Sequence, residues 1–240
     1  MSGHRVGMHY RYNHQLRQYA WNIGGSMAQN KNQFGTQYQI NPFLTVQKTF
    51  RPVSKFSYSL IGGGDHYIRK IRSRFEVGFG LNFLKEAAKL NSETPSKLSQ
   101  DLYSFNLGYG TAFDTWVNVV LSSRAAQIMG HNDIGSPATR STNWFSTAQI
   151  NVRPNKVFDL KIYLHRVATL AGSNPYNIAY ASDCVAYLRL KKWRSTVEFS
   201  AVNLLGSKQY EQTLADAFSQ TLSRVTAVQR FFLLSWEMNF

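Results

Sequence analysis

The side chains able to do chemistry are scattered along the chain. Histidines stand at positions 4, 9, 14, 66, 131 and 165, with no pair at a helical ligand spacing and no carboxylate cluster beside them. A zinc site needs three or four such ligands converging on one point. The single cysteine, Cys184, can form neither an internal disulfide nor a cysteine cluster. We therefore predict no metal site and no cofactor.

Catalytic motifs are also missing from the sequence. Gly62, Gly63 and Gly64 precede Asp65 and His66, but no GxxxxGK[ST] phosphate loop is present. Serines are abundant, yet none lies in a G-x-S-x-G elbow, and no triad is indicated. We predict that the glycines form a turn and that the protein is not an enzyme. His9 and His165 fall on polar strand faces, where we expect hydrogen-bonding roles.

The elements that carry these residues are predicted to be β-strands. Between 74 and 83, large apolar residues at odd positions alternate with polar residues or glycine at even positions, which is the pattern of a strand with two unlike faces. The same alternation recurs at 103–109, 144–152, 158–165 and 196–201. Weaker versions cover 6–12, 19–23, 38–50, 56–60, 116–121 and 178–190, and a final strand spans 229–240. We count about twelve strands, most near the 9 to 11 residues that cross a tilted bilayer path.

The predicted fold class is therefore all-β, an antiparallel transmembrane β-barrel in a single domain over 1–240, or the C-terminal part of a larger barrel. Connections are expected to be long at 85–100, 125–142, 168–177 and 206–227, and short at 110–114, 153–156 and 191–192. Outer-membrane barrels have short periplasmic turns and long extracellular loops, which places the C-terminus at the periplasm. Upstream of residue 75, either 62–66 or 69–73 is the turn. Leu214, Phe218 and Leu222 at spacing four predict a short loop helix.

Composition agrees with a surface that is not water-exposed everywhere. Charged residues make up 17% of the chain, below the roughly quarter typical of soluble domains, and no apolar run reaches the length of a membrane helix. The net charge is +14, and residues 1–74 hold 11 Lys or Arg against one acid. We interpret the cations as a solvated rim or a basic lumen facing anionic lipopolysaccharide or solute, in preference to a nucleic-acid site.

The last strand carries the strongest local signal. Phe232, Leu234, Trp236, Met238 and Phe240 all fall on one face of it, and that face is predicted to meet lipid. A strand that ends on an aromatic residue resembles the C-terminal signal by which the barrel assembly machinery recognises bacterial outer-membrane proteins. These five residues are our candidate membrane-insertion signal.

The sequence from 143 to 240 resembles TonB-dependent receptors and related outer-membrane β-barrel proteins of Bacteroidetes type. The elements of the likeness are the turn in NVRPNKVFDLKIY, the stretch KKWRSTVEFSAVNLLGSKQY with its Asn203, Leu204 and Leu205, and the ending QRFFLLSWEMNF. The resemblance implies a larger barrel with a plug domain and a periplasmic box that engages TonB. Neither part is found in this sequence, so this chain alone is not expected to perform energised uptake.

The expected function is a receptor-like or porin-like wall in the bacterial outer membrane, with extracellular loops that contact ligand for solute uptake. One alternative is a structural or assembly barrel that anchors a partner lipoprotein or another chain without transport. A second is a soluble, basic β-sandwich that binds nucleic acid or glycan. Expected partners are outer-membrane lipid, lipopolysaccharide and the barrel assembly machinery, with no nucleic acid.

The start MSGHRVGM has no apolar stretch that could serve as the core of a secretory signal. We expect the signal to lie upstream or the frame to begin inside a longer protein.

Overall fold

The structure is a computed structural model of the chain, and it describes residues 2–40, 45–90, 96–113, 116–132, 138–171, 177–206, 209–215, 220–226 and 229–238. Side chains at 2, 32–40, 45–53, 88–90, 96, 132, 171, 210–215, 220–222 and 224–225 lie within strands but are not described. No helix in the described part of the chain is long and apolar enough to cross a membrane.

Nearly all of these residues lie in β-strands, as the period-two alternation predicts. The strands are β1 (Ser2–His14), β2 (Tyr19–Ile40), β3 (Thr45–Ile68), β4 (Ser73–Leu90), β5 (Ser96–Thr111), β6 (Val117–Asn132), β7 (Thr139–Val152), β8 (Phe158–Ala171), β9 (Asn177–Leu190), β10 (Ser195–Val202), β11 (Gln209–Ala215), β12 (Gln220–Thr226) and β13 (Phe231–Met238). Aromatic and β-branched residues on one side of each strand favour this conformation because they pack against cross-strand neighbours.

Eleven of the strands form one antiparallel sheet in the order β1 to β10, followed by β13. The remaining two, β11 and β12, pair only with each other as a hairpin. Within the described residues the sheet is open, because β1 and β13 are its two edges and do not pair. Since every neighbour in the sheet order is antiparallel, the first and the eleventh strand run in the same direction.

Short turns lie together at one end of the sheet, which we call the turn end. They span 15–18, 69–72, 112–116, 153–157 and 191–194, and the opposite end is called the link end. Three of these turns share one geometry, in which the backbone N–H of Gln18, Arg72 or Arg194 donates to the carbonyl three residues earlier. Each of these three residues is left-handed, with φ of 54°, 45° and 45°. Four of the five turns, those at 15–18, 69–72, 153–157 and 191–194, also carry Lys or Arg, so most of the turn end has a basic rim.

The pairing registers show that the strands are tilted relative to the turn end. His14 is the last residue of β1. Following its pairing partner from each strand to the next leads, after eight strand-to-strand pairings, to Ser182 of β9. Ser182 lies eight residues before Leu190, where β9 ends. The row thus advances by one residue per strand. With about 3.3 Å per residue and about 4.8 Å between strands, the strands lean by about 35°, the tilt typical of barrels.

The predicted strand count of about twelve is close to the thirteen strands that the described residues form. The long connections are the larger error. Most of 85–100, 125–142 and 168–177 continues the neighbouring strands, which run far past the alternating segments. The physical reason is that backbone pairing propagates along a hairpin even where both faces are polar and the alternation has ended. The separate strands expected at 38–50 and 56–60 are likewise parts of β2 and β3.

Two local predictions were also wrong, namely the glycine turn at 62–64 and the loop helix at 214–222. Of the two alternatives for the turn upstream of residue 75, the one at 69–73 is confirmed, because the turn lies at Arg69–Ile71, and the three glycines are inside β3 instead of forming a turn. A Cβ on Gly62 would meet the Phe79 ring at 2.5 Å, so this glycine makes room for a ring on the paired strand. The spacing of Leu214 and Leu222 does not give a helix, because both lie in the β11–β12 hairpin, and Phe218 lies outside the described residues.

Candidate functional site: the two faces of the sheet

The side chains of the eleven-stranded sheet divide into two faces of opposite character. Because paired residues lie on the same side of a sheet, the registers connect one apolar face without interruption from β1 to β13. The apolar face comprises Val6, Met8, Tyr10 and Tyr12; Trp21, Ile23 and Met27; Tyr58 and Leu60; Phe75, Val77, Phe79, Leu81 and Phe83; Tyr103, Phe105, Leu107 and Tyr109; Val117, Val119 and Leu121; Trp144, Ala148, Ile150 and Val152; Phe158, Leu160, Ile162 and Leu164; Ile178, Tyr180 and Leu188; Val197 and Phe199; and Phe232, Leu234 and Trp236. Much of this face is exposed, including Met8 at 83% and Leu107 at 48%.

The candidate insertion signal lies on this apolar face. Phe232, Leu234, Trp236 and Met238 are 61%, 70%, 62% and 43% exposed on β13, and their register continues the apolar positions of β10. The Phe232 ring stacks on Phe199 with centroids 6.1 Å apart. The fifth residue of the prediction, Phe240, lies outside the described residues. The four described residues therefore form the exposed edge of the apolar face.

Aromatic rings are concentrated along both borders of the apolar face. At the turn end Tyr12 and Tyr19 lie 5.9 Å apart, and Phe75 and Tyr109 lie 5.0 Å apart, measured between ring centroids. Towards the link end the Phe83 ring lies 6.0 Å from Tyr58 and 5.8 Å from Tyr103. Beyond this second border the same side of the strands becomes polar, with Lys85, Asp101, Gln127 and Arg140.

The opposite face is polar and is held by cross-strand contacts. The hydroxyls of Ser122 and Thr147 lie 2.6 Å apart, and the Lys161 ammonium lies 5.3 Å from the centre of the Tyr187 ring. Glycine and small polar residues occupy much of the rest of this face, for example Gly78 and Asn106, which are paired. We call this the polar face.

A buried carboxylate anchors the turn end of the polar face. Asp159 is only 3% exposed, and its Oδ2 accepts hydrogen bonds from the Nε of Arg153 at 3.2 Å and from the same guanidinium's Nη2. The Arg189 guanidinium lies 3.6 Å from the same oxygen. A depression of about 640 Å³ lies beside this cluster and is lined by Lys156 and Lys161 among others. The cluster leaves this region basic and ties the β7–β8 turn to β9.

The β11–β12 hairpin lies against β6 to β9. Three polar-face residues at the link end of β7 and β8 are buried, namely Ser141 at 0%, Thr169 at 3% and Asn143 at 7%.

The histidines occupy separate positions, two of them as expected. His9 and His165 lie on the polar face, where His165 stacks parallel to Tyr163 and its Nε2 lies 3.9 Å from Asp183. His14 and His66 flank Tyr19 on the apolar face, with ring centroids 5.2 Å and 5.8 Å away. Among the described residues no group of three or more His, Cys, Asp or Glu is placed to hold a metal ion.

The apolar face contains a trough of about 700 Å³ that runs across β4 to β9. Small side chains, Ser123, Ser146 and Ala148, occupy its centre, and one cation, Arg166, lies in its lining. The Arg166 guanidinium carbon is 5.1 Å from the centre of the Trp144 ring.

The sequence analysis did not identify Asp159 as a buried ion-pair residue or Arg166 as a cation on the apolar face. The signal for Arg166 was present, because it is the next even position after Phe158, Leu160, Ile162 and Leu164 and is therefore a cation in an apolar series. Asp159 gave only the weaker signal of an acid among basic turn residues.

A comparison of the sequence with protein-family models, curated proteins and solved structures finds no match.

Proposed function

We propose that this chain forms the lipid-embedded wall of a β-barrel in the bacterial outer membrane, receptor-like or porin-like in type. The apolar face contacts lipid and the polar face lines the interior that solute enters. The turn end is periplasmic, which places the end of β13 at the periplasm, and the ligand-contacting segments are at the link end.

The observation that carries this proposal is the continuous exposed apolar face between two aromatic borders. On β4 it runs from Phe75 to Phe83, which is about 26 Å along the strand and about 22 Å in height at the tilt given above. Membrane barrels have an outward apolar band about 25 Å tall between aromatic girdles, with alternate residues facing a polar interior. The likeness to TonB-dependent receptors in the sequence from 143 to 240 points to the same class of protein.

A soluble β-sandwich would need a second sheet over the apolar face. Apart from the eleven-stranded sheet, the part of the chain that the structure describes contains the β11–β12 hairpin alone. A soluble protein with this much exposed apolar surface would aggregate, so the membrane alternative is favoured.

The proposal also requires further strands to complete the wall. Open sheet edges do not occur in lipid, because backbone groups there have no water to bond. Since β1 and β13 run in the same direction, closing the sheet with antiparallel pairs needs an odd number of additional strands. These come from a longer form of the same chain or from another chain.

The test is a pair of spin labels on adjacent residues of β5, in a Cys184→Ala background. Phe105→Cys labels the apolar face and Asn106→Cys the polar face. In vesicles we expect the first label to collide with oxygen dissolved in lipid and the second with a water-soluble nickel chelate. Equal access of the nickel chelate to both labels, or failure of the chain to float with vesicles, contradicts the proposal. A heat-dependent gel shift then distinguishes a closed barrel from an incomplete one.

A second candidate function, anchoring without transport, is supported by the β11–β12 hairpin, which lies against β6 to β9 instead of extending the sheet. A hairpin that fills the interior leaves no path for solute. Conductance in planar bilayers separates the two functions, because a porin-like wall conducts ions and an anchoring barrel does not.

A further inference from the structure

We propose that the trough on the apolar face is a binding site for a phosphate-bearing anionic lipid, with acyl chains in the trough and the phosphate on Arg166. The inference rests on the proposed membrane orientation and adds a specific lipid partner to it.

The shape of the trough fits acyl chains. Its walls are large apolar side chains, among them Leu107, Leu121 and Leu164, and its floor is made of Ser123, Ser146 and Ala148. Small floor residues between large walls give a groove on a surface that is otherwise filled by side chains. Its volume of about 700 Å³ lies in the range of pockets that hold small molecules.

The charge in the trough fits a phosphate. Apart from Arg166, the lining residues carry no Lys or Arg, and none carries a carboxylate. Within the described residues no Asp or Glu lies at salt-bridge distance from its guanidinium, whose recorded contact is the Trp144 ring. A guanidinium has a planar set of donors that matches phosphate oxygens and retains its charge at any working pH.

The depth of Arg166 is that of lipid head groups. It lies eight residues beyond Phe158, the first residue of β8, which is about 26 Å along the strand and about 22 Å in height at a tilt of about 35°. That distance is close to the whole height of an apolar band, so the guanidinium lies at its far border. A cation at this border costs little, whereas one at the midplane costs several kcal/mol.

Hydroxyl groups beside Arg166 extend the polar end of the trough. The Trp144 indole N–H donates to Ser123 Oγ at 2.6 Å, and Ser123 Oγ lies 3.1 Å from Ser146 Oγ. Ser146 and Tyr180 are the cross-strand partners of Arg166 on either side. These groups place hydrogen-bonding atoms next to the cation and apolar walls further along the groove, which matches the order of head group and chains in a lipid.

The experiment measures lipid A, the phosphate-bearing anchor of lipopolysaccharide in the outer leaflet, retained by the purified full chain in detergent, by native mass spectrometry. Arg166→Gln is expected to lower retention about tenfold, because one charge-assisted contact is lost. Arg166→Lys keeps the charge and is expected to retain most of the binding. Ala148→Leu fills the floor and is expected to lower retention with the charge intact. Arg124→Gln removes an equal charge from the polar face of β6 and is the control, expected to bind as the unmodified chain does.

Each outcome decides the inference. Equal lipid retention by the Arg166→Gln variant and the unmodified chain, in preparations that float with vesicles, overturns it while leaving the membrane wall intact. Displacement of the lipid by millimolar inorganic phosphate overturns it in favour of a simple anion site. Failure of the unmodified chain to float with vesicles removes both proposals. A loss confined to Arg166→Gln and Ala148→Leu supports the lipid site.

Discussion

At the residue scale, the molecule depends on a few side chains whose surroundings differ sharply from those of their neighbours. Asp159 is the buried charged side chain among the described residues, at 3% exposure, and two guanidiniums hold it. A buried carboxylate is stable only when such partners satisfy it.

We expect Asp159→Asn to lower the free energy of unfolding by about 1–3 kcal/mol, because it removes the negative charge that Arg153 and Arg189 share. The value is below that of a fully buried pair, since the Arg153 side chain is 57% exposed and water screens it. Asp65→Asn is the matched control, because Asp65 pairs with Arg74 at 3.3 Å and their side chains are 33% and 55% exposed, against 4% for the side chain of Asp159. The control should cost less than about 1 kcal/mol. Urea titration in lipid vesicles measures both, and equal losses would contradict the prediction.

Gly63 gives a second prediction at this scale. A Cβ there would lie 2.7 Å from the Val77 carbonyl oxygen on the paired strand, and backbone cannot easily move away. We expect Gly63→Ala to destabilise the sheet by about 1–3 kcal/mol through this overpacking. Gly110→Ala adds the same methyl where the nearest atom is 4.0 Å away, so it should be close to neutral. The same urea titration compares the two, and a neutral Gly63→Ala would show that the strands separate readily here.

Individual faces could be predicted from the sequence wherever alternation is strong. The assignment of Phe75 to Phe83 to one side, and of His165 to the other, needs nothing beyond period two. Arg166 and Asp159 could not be assigned a role in this way. Trp144, which contacts Arg166, and Arg189, which contacts Asp159, are 22 and 30 residues away along the chain, and the local pattern does not contain them.

At the element scale, the strands run well beyond the apolar face. β3 has 24 residues and β2 has 22, although the apolar positions occupy only their turn-end parts. Sequence reasoning placed strand ends where the alternation stops and therefore overestimated the loops. In the proposed barrel these extensions are walls that continue beyond the lipid.

The β11–β12 hairpin is the element that decides between transport and anchoring. Replacing residues 209–226 by a short Gly-Ser linker removes the hairpin that lies against β6 to β9. If it closes the interior, we expect ion conductance in planar bilayers to rise from background to that of an open pore. Shortening the β4–β5 connection by replacing 91–95 with the same linker is the control. Unchanged conductance after removal of the hairpin would mean that it does not close the path.

At the scale of the whole molecule, the sheet has the shear of a barrel without its closure. The sheet has eleven strands, an odd number, so its edge strands β1 and β13 run in the same direction. A second copy of this chain, related by a two-fold axis along the membrane normal, would therefore place its β1 beside β13 in parallel and not antiparallel. Strand number upstream of residue 75 was left open in the sequence because the alternation is weak there. In the proposed barrel, closure depends on strands outside the described sheet, and no local pattern could provide them.

The tilt of the strands is the most direct prediction for the whole molecule. A register advance of one residue per strand between β1 and β9 sets an angle of about 35° between the strands and the normal to the plane of the turn end. If the turns lie along one membrane surface, polarised infrared spectroscopy of oriented bilayers should give an amide I dichroism corresponding to that angle. A sheet lying flat on the membrane would give an angle near 90°, and an untilted sheet one near 0°. The chain unfolded in urea and deposited in the same way is the control, and it should show no dichroism. Either extreme angle would contradict the transmembrane wall, because the apolar face would then no longer match the thickness of the lipid.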